Sequence, residues 1–208
     1  MKRYCIIGIT LLALAACGGG KKESSGVVEG ENLSKNPLGM MGQLAKAGQD
    51  LEKIQKELEN LKPTDPVHFN ELLKFLPEPP SGWESQAPKG STNNMGEWKF
   101  TEVNRDYTQG EKRIEVKILD WAFRKELYAG FFIAAAFSQE TTEGYNKGIK
   151  IGEDPGREEY KTAGRNGTLS ILVGKRFFVT IEGNGIDSAE LRQWWDKLDA
   201  AGLRAKAN

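Results

Sequence analysis

The sequence predicts an α+β fold, in which helices pack on an antiparallel sheet of about six strands and an amphipathic helix precedes the sheet. Short segments with alternating apolar residues are separated by turn residues between residues 83 and 182. Segments with helical periodicity lie before, between and after these strands. At 208 residues, with 38% hydrophobic and 28% charged side chains, the chain has the composition of a soluble protein with one globular domain.

The amphipathic helix is predicted over residues 39–62. Its apolar positions recur at spacings of three and four, and they are Leu44, Ala47, Leu51, Ile54, Leu58 and Leu61. Pro63 and Pro66 end the helix. The sequence leaves three arrangements of this stripe open. It packs on the protein's own core, it pairs with a second copy or another partner through residues 44–61, or it stays free.

The globular domain is predicted over residues 64–208 and starts with a short helix around Leu72. The proline-rich run at residues 77–83 then forms a rigid elbow that leads into a first strand. A hairpin follows around a turn at residues 108–111, because apolar residues alternate on both sides of it. These residues are Trp98, Phe100 and Val103 before the turn and Ile114, Val116 and Ile118 after it, with Leu119 and Trp121 extending the second strand.

A buried helix is predicted over residues 123–137, because alanines favour a helix there and the apolar stretch is too short to span a membrane. Four further strands are predicted over residues 145–151, 159–163, 168–173 and 176–182. Turns are expected at Asn166-Gly167 and Gly174-Lys175. One face of the sheet is predicted to be apolar and the other mixed. The apolar face carries Leu169, Ile171, Val173, Phe177, Val179 and Ile181, which alternate with Ser170, Leu172, Phe178, Thr180 and Glu182 on the mixed face.

A terminal helix is predicted to start at Asp187, which forms a capping pair with Glu190, and to end near Gly202. Trp194 and Trp195 point about 100° apart on this helix, so one of them is expected to lie partly exposed. Aromatic residues on this helix and on the helix predicted over residues 123–137 are the candidate apolar contacts of the domain, and they are Trp194, Trp195, Phe131 and Phe132.

Charge and residue usage exclude several functions. The 29 basic and 29 acidic residues are interspersed, which argues against a nucleic-acid partner. The two cysteines, Cys5 and Cys17, lie near the N-terminus, so the domain has no disulfide and no thiolate metal ligand. His68 is the only histidine, and we expect it to be an exposed or capping residue. The sequence predicts no catalytic residue, no metal site and no cofactor.

The first 16 residues have the organisation of a secretory signal peptide. A basic start at Lys2 and Arg3 precedes an apolar run over residues 4–14. The run is shorter than the roughly 20 residues that a membrane-spanning helix needs. Residues 17–38, which are rich in glycine, serine and charged side chains, are expected to form a flexible tether.

The segment Leu14-Ala15-Ala16-Cys17 resembles the lipobox of bacterial lipoproteins, in which small residues precede an obligatory cysteine. This resemblance implies cleavage before Cys17, attachment of a diacylglycerol to its sulfur and acylation, such as palmitoylation, of the new amine. Several acyl chains give stable anchoring, whereas one gives only reversible binding. In lipoproteins of enteric bacteria an aspartate after the cysteine retains the protein at the inner membrane, so Gly18 favours the outer membrane, with the periplasmic or surface side left open.

The order of elements resembles that of small α/β sandwiches found in the extrinsic photosystem II protein and in several bacterial lipoproteins. This resemblance concerns the pattern alone and brings no motif that would carry a function. The expected function is therefore a membrane-anchored, non-enzymatic binding or assembly role with another envelope protein as partner. The alternatives are a carrier of a lipid or small apolar ligand and, less expected, a hydrolase whose carboxylates show no recognisable spacing.

Overall fold

A computed structural model describes Lys56, residues 59–96 and residues 98–207. Four short helices and one 3-10 turn lie around a sheet of nine strands. The helices are α1 (Phe69–Leu72), α2 (Lys125–Ala136), α3 (Ser188–Trp195) and α4 (Ala200–Ala207), and the 3-10 turn is Leu73–Phe75. The strands are β1 (Glu84–Ser85), β2 (Lys89–Met95), β3 (Trp98–Gln109), β4 (Lys112–Asp120), β5 (Gln139–Thr141), β6 (Gly144–Ile151), β7 (Asp154–Lys161), β8 (Asn166–Val173) and β9 (Phe177–Asn184).

The strands form one antiparallel sheet in the order β1-β3-β4-β9-β8-β7-β6-β5, and β2 pairs with β3 beside β1. The α+β class is confirmed, with β structure predominating, but the sheet has nine strands instead of about six. Two of the additional strands, β2 and β5, lack apolar alternation: every residue of β5 is exposed, and β2 is exposed except at Asn93. Their sequences therefore gave no periodic signal, since that signal comes from burying one face.

One face of the sheet, termed the core face, carries the main hydrophobic core. Alternate side chains of β3, β4, β8 and β9 point to it, as their sequence pattern predicts. Helices α1, α3 and α4 cover this face with Leu72, Leu191, Trp194 and Leu203, all of which are buried. The buried strand residues are Val103, Tyr107, Ile114, Val116, Ile118, Leu169, Ile171, Val173, Phe177, Val179 and Ile181.

The prediction of a turn at Asn166-Gly167 is wrong, because both residues lie at the start of strand β8. The chain instead turns before them, where Gly164 and Arg165 have φ angles of +78° and +49°. A Cβ atom on Gly167 would lie 2.6 Å from the Leu191 side chain. This glycine therefore allows close packing of α3 on the sheet, which is a different role from that in a turn.

The terminal helical region is two helices instead of one. The capping pair of Asp187 and Glu190 is confirmed at the start of α3, and α3 ends at Trp195. Gly202 lies inside α4 instead of ending a helix, and its backbone N–H donates to Asp199 Oδ1 at 2.8 Å. The break between α3 and α4 lets both helices present apolar residues to the core face.

The end of β4, the start of α1 and the turn between β8 and β9 lie close to their predicted positions. Strand β4 ends at Asp120, one residue before Trp121, because Ala122 and Phe123 adopt φ angles of +48° and +57° and cannot continue a strand. His68 caps α1, with its Nδ1 accepting a hydrogen bond from the backbone N–H of Asn70 at 3.3 Å. The Gly174-Lys175 turn is confirmed between β8 and β9.

The signal peptide, Cys17, the tether and almost all of the predicted helix 39–62 lie outside the described residues. Lys56 and Glu59 are helical, and Leu61, the last member of the predicted apolar stripe, packs against an aromatic cluster of the domain. Among the described residues, no helix has the length and hydropathy needed to cross a membrane.

Candidate binding groove

The second face of the sheet, opposite the core face, is polar over most of its area. Glu115, Glu182 and Thr168 are cross-strand neighbours on β4, β9 and β8, and Lys117 and Thr180 form the adjacent row. Helix α2 covers the second face over β6 and β7 and reaches Phe178 of β9 with the ring of Phe131. A boundary therefore exists between a covered apolar part and an uncovered polar part of the same face.

Aromatic rings line the apolar side of this boundary. Trp121 stacks on Phe178 with ring centroids 4.7 Å apart and an interplanar angle of 13°. Phe131 of α2 meets Phe178 edge-on at 5.2 Å. Tyr128, Leu172 and the half-buried Phe132 complete this cluster beneath α2. Such offset and edge-on contacts hold aromatic rings in fixed positions, which makes this wall rigid.

A groove of about 300 Å³ opens between α2 and the sheet along this boundary. Its apolar wall consists of Trp121, Phe131, Ala134 and Phe178, and its polar wall consists of Arg157, Glu159, Thr168 and Ser170. The polar residues are neighbours because Arg157 is the cross-strand partner of Ser170, and Glu159 that of Thr168. The groove thus presents one apolar wall opposite one hydrogen-bonding wall.

The charges in the polar wall are fixed by mutual contacts. Arg157 donates to Asn146 Oδ1 at 2.6 Å and forms an ion pair with Glu159 at 2.7 Å. The hydroxyls of Thr168 and Ser170 lie beside this pair and can both donate and accept hydrogen bonds. The polar wall therefore has no net charge. It favours a molecule that carries hydrogen-bonding groups over a molecule that carries a net charge.

A buried ion pair fixes the start of α2. Both Asp120 oxygens accept hydrogen bonds from the Arg176 guanidinium at 2.9 Å. The same carboxylate accepts from the backbone N–H of Ala122 at 2.8 Å and of Val67 at 2.7 Å. These bonds hold the positive φ angles of Ala122 and Phe123, a conformation that costs roughly 1–2 kcal/mol per non-glycine residue. Trp121 and α2 are positioned by this cluster.

The other end of α2 is held by a close approach of backbones. A Cβ atom on Gly148 of β6 would lie 1.9 Å from the carbonyl oxygen of Ala135, so only glycine allows the helix to lie this close. The Ser138 hydroxyl accepts a hydrogen bond from the Gly148 N–H at 3.3 Å. Within α2, burial raises the pKa of Tyr128, which keeps its phenol neutral.

A second cluster of charges lies on the core face and holds α3 to the sheet. The buried Glu158 carboxylate accepts hydrogen bonds from the Tyr145 hydroxyl and the Arg192 guanidinium, and Lys147 lies 3.6 Å away. Burial and the bond to Glu158 raise the pKa of Tyr145 to about 12. The raised pKa keeps this phenol protonated at neutral pH. These contacts join α3 to β6 and β7.

The candidate contact residues predicted from the sequence separate into two groups. Phe131 is buried beneath α2 and lines the groove, and Phe132 is half-buried in the same cluster. Trp194 and Trp195 are only 3% and 7% exposed, so the expectation that one of them is partly exposed is not met. Trp194 packs on Trp83 and Tyr107. Cys17 lies outside the described residues.

Sequence reasoning missed the sheet side of the groove. Ser170 and Phe178 are predicted on the mixed face of the sheet, but nothing in the sequence indicates that α2 returns across that face. The signal that could have pointed to it is Gly148, a glycine in a strand, which often marks a close backbone approach. Arg157 and Glu159 carry no such signal, since charged residues at alternate positions are common on the solvated face of an antiparallel sheet.

The described residues contain no group of three or more His, Cys, Asp or Glu side chains that could hold a metal ion. Comparisons with protein families, with curated proteins and with solved structures gave no match to this chain.

Proposed function

We propose that this chain is a lipid-anchored protein of the bacterial cell envelope with a non-enzymatic binding or assembly role, and that its partner binds in the groove beneath α2. The observation that carries this proposal is the pairing of a rigid aromatic wall with a hydrogen-bonding wall on a sheet face that is otherwise polar. The anchor rests on the resemblance of residues 14–17 to a lipobox, and Gly18 favours the outer membrane.

The size and chemistry of the groove fit a segment of another envelope protein. About 300 Å³ accommodates one or two apolar side chains, and the backbone of the segment can hydrogen-bond to Thr168 and Ser170. Aromatic anchors in such positions contribute most of the energy in protein interfaces. Because the polar wall is neutral overall, binding should depend weakly on salt.

The anchor is tested by intact-mass analysis and membrane fractionation of the wild type beside Cys17→Ala. Acyl mass and membrane association in the wild type alone support the anchor, whereas an unmodified, soluble wild type refutes it.

A photo-reactive residue at Thr168 then tests the groove in the native envelope. The cross-link should disappear in Ala134→Trp, which fills the groove, and persist when Lys197, an exposed residue beyond α3, is changed to alanine. Cross-linking unaffected by Ala134→Trp would refute the groove as the partner site.

A carrier of a lipid or small apolar ligand is a second candidate, favoured by the groove volume, which lies at the lower end of small-molecule sites. Native mass spectrometry of the protein purified without detergent tests it. A bound mass that Ala134→Trp removes supports a carrier. Absence of any bound mass, together with a groove-dependent protein cross-link, refutes a carrier and leaves the binding role.

A further inference from the structure

The tip of the β2–β3 hairpin exposes two large apolar side chains side by side. Met95 and Trp98 are direct cross-strand partners, and they are 67% and 45% exposed. Of the large apolar residues in the described chain, only Phe137 is similarly exposed, at 52%. Neither Met95 nor Trp98 belongs to either buried apolar cluster of the described residues. Core packing therefore does not explain these two residues.

The hairpin tip lies at the end of the sheet where the N-terminal segment joins the domain. Lys99 Nζ, next to Trp98, contacts Asp65 Oδ1 at 2.7 Å. The backbone N–H of Thr64 donates to the Ala122 carbonyl at 3.0 Å, at the same end of the sheet. The segment that leads back to Cys17 thus enters the domain beside the tip.

The chemistry of the tip fits a lipid surface. Tryptophan favours the interface between headgroups and acyl chains, because its ring is apolar and its N–H can hydrogen-bond. The charges beside the tip are of both signs, since Lys99 pairs with Asp65. Apolar insertion would therefore provide the attraction, with little contribution from anionic headgroups.

We propose that the β2–β3 tip inserts Met95 and Trp98 into the interfacial layer of the membrane that carries the lipid anchor. The tip would orient the domain on that membrane and leave the groove open to a partner, because the polar wall of the groove lies on β8 and β7, three and four strands from β3. This inference goes beyond the proposed function and relies on it only for the presence of the membrane.

The test places the acylated full-length protein in phosphatidylcholine vesicles that contain brominated lipids, which quench tryptophans within the bilayer. We expect quenching in the wild type, its loss in Trp98→Phe and a reduction in Met95→Ser. Phe137→Ser is the matched control, because it removes an exposed apolar residue about 24 Å away, near β6, five strands from β3. Brominated lipids should quench the tryptophan fluorescence of this variant as much as that of the wild type. Adding anionic lipid should change the quenching little.

Equal quenching in the wild type and Trp98→Phe would overturn the inference while leaving the anchor intact. A second copy or a protein partner that covers the tip would also give equal quenching in the two proteins. A cross-link through position 95 would then identify the molecule that covers the tip. If intact mass shows no acyl chain, the anchor fails independently. The same quenching is then measured after adding the protein to preformed vesicles, where Trp98-dependent quenching supports the inference and its absence overturns it. In this format we expect Met95→Ser to weaken vesicle partitioning about ten-fold.

Discussion

The two faces of the sheet differ in what covers them and in what they can do. On the core face, three helices bury a continuous layer of aliphatic and aromatic side chains. On the second face, α2 covers one part, and the row through Glu115, Glu182 and Thr168 is half-buried or exposed. The same strands supply both faces, because successive side chains alternate between them.

This difference indicates that residues on one face of the sheet stabilise the fold, whereas residues on the other face are available for binding. Residues on the core face are surrounded by protein, so their removal leaves cavities. Most residues that line the groove are half-buried, in contact with protein on one side and with solvent on the other. They can be changed at a lower cost in stability, which is a property of surfaces that carry function. The following changes test this separation.

The largest effect should come from Trp194→Ala on the core face. Trp194 is 3% exposed and packs on Trp83 and Tyr107, so we expect the free energy of unfolding to fall by about 3–5 kcal/mol. Phe178→Ala in the groove should cost only about 2 kcal/mol, because this ring is half-buried and water can enter the space left. Urea unfolding followed by circular dichroism measures both. Equal losses would contradict the separation of the two faces.

The ion pair that fixes α2 should give the next effect. Asp120→Asn leaves the buried Arg176 without its counter-charge, and the amide keeps only part of the hydrogen bonding, so we expect a loss of about 2–4 kcal/mol. The exposed pair of Lys99 and Asp65 is the comparison, since Lys99→Ala should cost less than about 1 kcal/mol. If both substitutions cost the same in urea unfolding, Asp120 does not have the role assigned to it.

Two glycines near α2 should respond in opposite directions to alanine. Gly148→Ala places a Cβ atom against the Ala135 carbonyl and should cost about 1–3 kcal/mol by pushing α2 away from the sheet. Gly130 lies within α2 with no atom in the path of a Cβ, so Gly130→Ala should stabilise the protein by about 0.5–1 kcal/mol. Thermal unfolding compares the two. The same sign for both would show that α2 does not approach β6 as closely as described.

The fold could be predicted wherever the sequence records burial of one face. The alternation in β8 and β9 and the capping pair of Asp187 and Glu190 are local signals, and both were confirmed. Asn166-Gly167 has the usual chemistry of a hairpin turn, but a tertiary contact with Leu191 requires glycine at position 167, and this overrides the local preference. Strands β2 and β5 lack a buried side and were not distinguishable from loops.

The groove could be predicted only in part. Phe131 and Phe132 were identified as candidate contacts from the apolar composition of their helix, and Phe131 does line the groove. The position of α2 over Ser170 and Phe178 depends on how the chain crosses the sheet, and this is a long-range property that periodicity does not encode. Trp194 and Trp195 face different directions on α3, but the core around them is deep enough to bury both.

The smallest effect should come from Tyr145→Phe at the margin of the core face, where a hydrogen bond to the buried Glu158 is lost. We expect a loss of about 0.5–1.5 kcal/mol near neutral pH. Because the folded state raises the pKa of Tyr145 from 10.0 to about 12, the wild-type advantage should be complete below pH 10 and decline as the pH rises towards 12. Urea unfolding of both proteins between pH 8 and 12 measures this difference. An advantage that stays constant through this range would show that burial and the bond to Glu158 do not keep Tyr145 neutral.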